Sequence, residues 1–198
     1  PQLFGSMYDS LQTSVVLWNI AVFDQFAGIA AELTDTTING LTVTDSLLRM
    51  DAPSDIRNKL VWHQDSAHFR QNASGSHGVV CSFTLLDLIP ELGPLEILPK
   101  SHTLGRINIE SAVKDEERYN SLYSQQYPIP ENYIAKFKPK PILQNFGDAL
   151  FLNFDLVHRS GSNTSSKFRF TVITRYHKML ADDFIPGRLV YRPSTKPN

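Results

Sequence analysis

The stretch Val157-His158-Arg159-Ser160-Gly161-Ser162-Asn163-Thr164-Ser165-Ser166-Lys167-Phe168-Arg169 holds a His and an Arg with ten residues between them, and turn-forming polar residues between two apolar runs. The run before it, Ala149–Val157, follows the turn signal Gly147-Asp148 and reads as a strand closed by His158. The run after it, Phe168–Tyr176, reads as the next strand, opened by Arg169. An antiparallel pair joined by the loop Ser160–Lys167 brings Arg169 toward His158. Outward from there the same texture recurs at Leu41–Met50, Leu60–Gln64, Gly78–Leu88, Leu95–Leu98, Ile134–Lys138, Ala149–Phe154, Phe168–His177 and Arg188–Arg192. Many short strands separated by Pro, Gly, Asn and Asp clusters predict a mainly β barrel or jelly roll rather than a parallel α/β sheet. Residues 8–33 differ, with helical spacing at Leu11, Val15 and Trp18, then Val22, Phe23, Phe26, Ile29, Ala30 and Leu33.

The 198 residues are the size of one domain, and we expect a single domain over 1–198. It has a helical start at 8–33, a β core over about 41–192 and a polar excursion at 103–132. That excursion carries the cluster Lys114-Asp115-Glu116-Glu117-Arg118 and reads as a solvated loop or a substrate-covering lid. Because the chain opens at Pro1 rather than Met, it reads as part of a longer sequence. A net charge of −1 provides no basic excess for neutralising phosphates, so nucleic acid is not an expected partner. No apolar run is read as a membrane span and no signal-peptide pattern opens the chain, so no membrane partner is expected. The lone Cys81 excludes an intrachain disulfide and points to a cytoplasmic setting. The sequence carries no signal for oligomeric state.

Upstream sits Trp62-His63-Gln64-Asp65. His-x-Asp is a common pattern, and its context gives it weight. His63 and Asp65 are two apart, so on a strand their side chains leave the same face. They stand where Leu60-Val61-Trp62 gives way to polar sequence. Two His and one carboxylate occupy one face of a metal and leave the other open, an arrangement suited to non-haem iron rather than to structural zinc, which prefers four closed ligands. A guanidinium one strand away matches the carboxylate of an organic cosubstrate.

These blocks, with Gly93-Pro94-Leu95-Glu96-Ile97-Leu98-Pro99-Lys100-Ser101-His102, Gly147-Asp148, Ser160 and Asn163, resemble the phytanoyl-CoA dioxygenase family of Fe(II)/2-oxoglutarate oxygenases over about residues 40–180. The resemblance implies a double-stranded β-helix, that is, a jelly roll of cupin type. It implies that His63, Asp65 and His158 ligate Fe(II), with 2-oxoglutarate as cosubstrate and O2 as oxidant. Arg169 would pair with the distal carboxylate of 2-oxoglutarate, assisted by Ser160, and Phe83 would stand as the aromatic beside it. The implied reaction is hydroxylation of an unactivated C–H of a small-molecule substrate, with release of succinate and CO2. Halogenating relatives carry Ala or Gly where Asp65 stands, so halogenation is not expected. The family usually has more sequence before its first core strand.

Several residues stay open between function and scaffold. Gln64, His68 and Phe69, close to Asp65, read as substrate contacts or plain surface. Arg49, on the strand ending at Asp51, reads as a cation in the barrel mouth awaiting an anion such as a substrate carboxylate. Arg175, six after Arg169, competes as the cosubstrate anchor. His102 reads as a backbone-bonding turn residue and His77 as exposed loop. Glu96 reads as facing outward, whereas Cys81, Val79, Phe83, Leu85, Phe151, Phe170 and Val172 read as core. The alternative to an oxygenase is a catalytically silent, cupin-like binding or sensing protein. A hydrolase or isomerase using another divalent metal is a third reading, against which the Arg169 and Ser160 pair argues.

Overall fold

The structure is a computed structural model that describes residues 10–55, 60–109 and 128–186. Its strands are β1 (Leu41–Asp51), β2 (Gly78–Thr84), β3 (Leu95–Ile97), β4 (Lys140–Pro141), β5 (Ala149–Asn153), β6 (His158–Ser160) and β7 (Arg169–Lys178). Among the described residues they form an antiparallel sheet ordered β1-β7-β2-β5 and a second ordered β4-β3-β6. Val80, Leu152 and Ile173 of the first sheet pack with Leu95 and Ile97 of the second, so the two sheets share one interior. This is the expected jelly roll. The expected strand Arg188–Arg192, the centre of the polar excursion at 110–127 and residues 8–9 lie outside the described residues.

Alternation along β1 and β7 decides what that interior contains. β1 pairs with β7 along its whole length, Asp45 opposite Arg175 and Asp51 opposite Arg169, with a bulge between Val43 and Asp45. Arg49, Arg169, Thr171, Ile173 and Arg175 all line the cavity between the sheets. On the outer face Val43, Val79, Cys81, Phe151 and Tyr176 meet Ala27 and Ala30. Cys81 is 2% exposed, and burial pushes its thiol up to about 12.

The covering helices are α1 (Val15–Ala21) and α2 (Asp24–Leu33). The Ser14 hydroxyl caps α1 by accepting the Leu17 N–H at 3.2 Å. The Tyr176 hydroxyl ties α1 to the sheet by donating to the Ala21 carbonyl at 2.8 Å. The span Val15–Leu33 is long and apolar enough to cross a membrane, contrary to expectation, but it is broken into two helices at Val22–Phe23. The apolar stripe is the buried face only in part, through Ala30 and the half-buried Phe26. Leu17 and the small Ala21, Ala27, Ala30 and Ala31 are buried, while Val15, Trp18, Val22, Phe23, Ile29 and Leu33 are exposed. The alanines let α2 approach the sheet, and Phe26 is the large residue of the stripe that packs against it.

Three expected strands are corrected. Leu60–Gln64 is irregular apart from a bridge at His63. Ile134–Lys138 is the end of the short helix α3 (Glu131–Ile134) and the turn after it, started at Pro130 and Glu131. The run Ala149–Val157 is interrupted. The Asn153 side chain accepts the Asp155 N–H at 2.8 Å and the Leu156 N–H reaches the Asn153 carbonyl at 2.9 Å. This Asx turn sends the chain from β5 to the second sheet, where His158 opens β6 instead of closing β5. Leu85, expected in the core, is 36% exposed just past β2.

At the Gly93-Pro94 turn the chain touches the loop after β6. Gly93 has φ +66°, and a Cβ there would run into the Ser162 carbonyl; one on Gly161 would meet the Pro94 carbonyl. Gly93→Ala is therefore expected to cost about 2–4 kcal/mol in chemical denaturation. Gly28→Ala, inside α2 with nothing within 4 Å of its Cβ, should gain about 0.5–1 kcal/mol.

His77, expected as exposed loop, instead pairs with Asp183 at 2.8 Å. The Asp183 carboxylate also accepts from the Ser74 N–H (2.8 Å) and the Asn72 amide (3.0 Å). Burial alone would raise its pKa, but these donors pull it from 3.8 to about 2. A depressed carboxylate contributes stability above its unfolded pKa and loses it as the folded value is approached. The stability gap between the protein and its Asp183→Asn variant should therefore close between about pH 3.8 and pH 2, read by denaturant melts across that range.

Candidate metal centre

His63 and His158 form an isolated antiparallel bridge, each N–H donating to the other's carbonyl at 3.0 Å. This puts the two imidazoles 4.3 Å apart, centroid to centroid. Each ring is fixed the same way: Nδ1 lies 2.7 Å from the Val61 carbonyl in His63 and 2.8 Å from the Leu156 carbonyl in His158. A carbonyl only accepts, so each Nδ1 carries a proton and Nε2 is the ring atom left to meet a metal. Asp65 enters from the turn after His63, its Oδ1 3.8 Å from the His63 Nε2. Donor atoms of His63, Asp65 and His158 lie within 4.8 Å of one another, and all three residues are buried.

The electrostatics suit a cation. Burial, then the neighbouring His158, lowers the His63 pKa to about 3, so the ring is neutral. Burial alone would raise Asp65, but Arg175 and the two imidazoles hold it well below the usual carboxylate range. A neutral imidazole and an ionised carboxylate are the protonation states a metal ligand needs. Arg175 donates from Nε to Asp65 Oδ2 at 3.2 Å and from Nη1 to Asp45 Oδ2 at 2.8 Å, with its guanidinium 4.2 Å over the Phe69 ring. Burial raises Asp45, with Arg175 pulling the other way.

On the other side of the triad, Arg169 and Ser160 line the cavity with Arg49. Arg169 donates to Asp51 Oδ2 from Nε (3.1 Å) and Nη2 (2.8 Å), and from Nη1 to the Leu92 carbonyl (3.2 Å). Burial lowers the Arg169 pKa, with Asp51 opposing. Arg49 grips the same carboxylate, Nη2 to Asp51 Oδ1 at 2.8 Å. The anion facing Arg49 is thus the protein's own Asp51. Asn163 holds this corner, its amide donating to the Asp51 and Lys167 carbonyls at 3.0 and 2.8 Å.

Other expectations need correction. Phe83 is not beside the cavity: alternation in β2 turns Ser82 inward and Phe83 outward, where its ring stands 5.7 Å from Phe26 of α2. Gln64, fully buried, faces away from the centre as a backbone bracket. Its amide donates to the Gly105 and Asp155 carbonyls and its oxygen accepts the Ile107 N–H. His68 and Phe69 do line a cavity at the metal centre, and burial lowers the His68 pKa. His102 is exposed; its neighbour Ser101 does the structural work, accepting the Val157 N–H at 2.8 Å. Glu96 pairs with Arg159 on the outer side, as expected. Asp45 and Asp51 were missed, although the inward alternation Asp45-x-Leu47-x-Arg49-x-Asp51 was available in the sequence.

The chain is similar to known proteins in sequence and in fold. Over 147 residues the chain is 26% identical to L-proline trans-4-hydroxylase of Streptomyces griseoviridis, covering 68% of this chain and 55% of the hydroxylase. Among solved structures it is similar to the 2-oxoglutarate complex of EvdO2 from Micromonospora carbonacea var. aurantiaca (TM-score 0.61, 19% identity, 79% of this chain and 59% of that one). The non-haem alpha ketoglutarate dependent carbocyclase SnoK of nogalamycin biosynthesis gives a TM-score of 0.64 at 18% identity, over 85% and 60% of the two chains. The SnoN epimerase in complex with Fe3+, alpha ketoglutarate and nogalamycin RO gives 0.63 at 17% identity, over 83% and 59%. The chain thus spans somewhat over half the length of these relatives, and the solved structures speak for the fold. The sequence profile of the phytanoyl-CoA dioxygenase (PhyH) family matches residues 28–171, most of the chain, and the chain belongs to that family.

Proposed function

We propose that the protein is an Fe(II)- and 2-oxoglutarate-dependent dioxygenase that hydroxylates an unactivated C–H bond of a small metabolite. The observation that carries this reading is the buried triad His63, Asp65 and His158, with both Nδ1 atoms tied back to main-chain carbonyls, facing a cavity that also holds Arg169. In this reading His63, Asp65 and His158 hold the iron. Bound together, iron and 2-oxoglutarate supply the oxidising power, the cosubstrate leaving as succinate and CO2 while one O2 oxygen enters the substrate.

The chain's own residues bind and orient. Arg169 receives the distal carboxylate of 2-oxoglutarate, with the Ser160 hydroxyl as a further donor. Asp51 already holds that guanidinium, so the incoming carboxylate shares Arg169 with it, and Arg49 supplies the second positive charge that makes the sharing favourable. Arg175 fixes the Asp65 carboxylate. The apolar interior around Val80, Leu152 and Ile173 keeps water from the reacting atoms. Hydroxylation of a small molecule is also the activity that the name of the Streptomyces griseoviridis relative describes.

The test is an anaerobic titration of the purified apoprotein with Fe(II) and then 2-oxoglutarate, followed by the visible metal-to-ligand charge-transfer band. The band should need both components, vanish in Arg169→Ala, and fail to form in His63→Ala. A folded protein without the band defeats the dioxygenase reading and leaves a silent binding protein. Arg175→Gln should weaken Fe(II) binding about 10- to 100-fold by releasing Asp65, measured by competition with a chromophoric chelator; unchanged affinity would show that Arg175 does not position the ligand.

A further inference from the structure

The metal centre adjoins a second compartment that the cosubstrate reading does not use. It is a cavity of about 370 Å3 that reaches His63 and Asp65 and is lined by Asp45, Leu47, Leu60, His68, Phe69 and Arg175. That is the lower end of the volumes that hold small molecules. Leu47, Leu60 and Phe69 suit a short aliphatic skeleton, and of the lining carboxylates Asp45 leaves one oxygen without a partner among the described residues, whereas both Asp65 oxygens meet Arg175. The Asp45 side chain is 30% exposed; Oδ2 accepts from Arg175, while Oδ1 has no hydrogen-bond partner among the described residues. Arg175 in turn divides itself between Asp45 and Asp65, one guanidinium serving two carboxylates. A charged donor is the strongest partner for a half-satisfied carboxylate in such a place.

Charge balance limits what else the ligand carries. Among the described residues, the carboxylates Asp45, Asp51 and Asp65 are matched by the guanidiniums Arg49, Arg169 and Arg175, three against three. A divalent cation and a dicarboxylate cancel as well. A ligand of net charge would leave an uncompensated charge in a confined site, which is costly. We propose that this compartment takes a small zwitterion, an aliphatic amino acid, with its ammonium on Asp45 Oδ1 and its carbon skeleton against Leu47 and Phe69. The proposal rests on the dioxygenase reading above and assigns its substrate class.

The test uses the protein loaded with Zn(II) and 2-oxoglutarate and ligand-detected saturation-transfer NMR. The probes are L-proline and L-leucine, each paired with its desamino counterpart, cyclopentanecarboxylate and 4-methylpentanoate. At least one amino acid should bind ten-fold or more tightly than its desamino partner. Asp45→Asn should bring that ratio below about three-fold, and Asp45→Glu should retain most of it. Equal binding within both pairs, or no binding by either amino acid, overturns the proposal, and this comparison needs no variant to fold. The charge-transfer band in the Fe(II) protein separates the two readings. A band without amino-acid discrimination defeats the substrate assignment alone, whereas a missing band defeats the dioxygenase reading and the assignment together.

Discussion

The reciprocal backbone bridge between His63 and His158 is the constraint on which the centre depends. Two N–H to carbonyl bonds of 3.0 Å join segments 95 residues apart, one irregular and one the start of a strand in the smaller sheet. Because the bridge is made by the main chain, the imidazoles stay free, and each is oriented by the carbonyl two residues before it. Asp65 follows His63 through a short turn, and Gln64 between them anchors that turn to Gly105, Ile107 and Asp155. Gln64, open in the sequence between substrate contact and plain surface, is thus what holds the site's backbone still.

The second organising element is the β1–β7 ladder, which carries two acid–arginine pairs on its inner face, Asp45 with Arg175 and Asp51 with Arg169. Removing one partner of a buried pair costs about 3–5 kcal/mol because the other charge is left stranded. A binding site can draw on the same fact. A guanidinium that must remain partnered is held in place before any ligand arrives, and an anion entering beside Asp51 meets Arg49 and Arg169 already oriented. Arg175 links the metal-facing carboxylate Asp65 to Asp45, so the centre and the neighbouring compartment share one cation.

Much of this was legible in the residue order. The strand texture led to the jelly roll, and His63, Asp65 and His158, which the family resemblance named as candidates, are brought together by the fold. The readings that failed did so for local reasons. Phe83 lies at the wrong parity in β2, so its ring packs beneath α2 instead of facing the cavity. Val15, Trp18, Ile29 and Leu33 have helical spacing, but the sheet is covered by the alanines between them. The apolar run through Val157 looked continuous, yet one Asn side chain ends it and moves His158 to the other sheet.

The sequence by itself determined the fold class, because alternation and turn signals are local properties of the chain, and the family resemblance named the candidate set of two His, one carboxylate and a distant Arg. Tertiary structure alone decided which charges meet. Asp51 is 118 residues from Arg169 and Asp65 is 110 from Arg175, and no local pattern states such separations. Their pairing follows from the register of β1 on β7 and from the closure of two sheets over one interior. There, low dielectric makes each buried charge seek an opposite one.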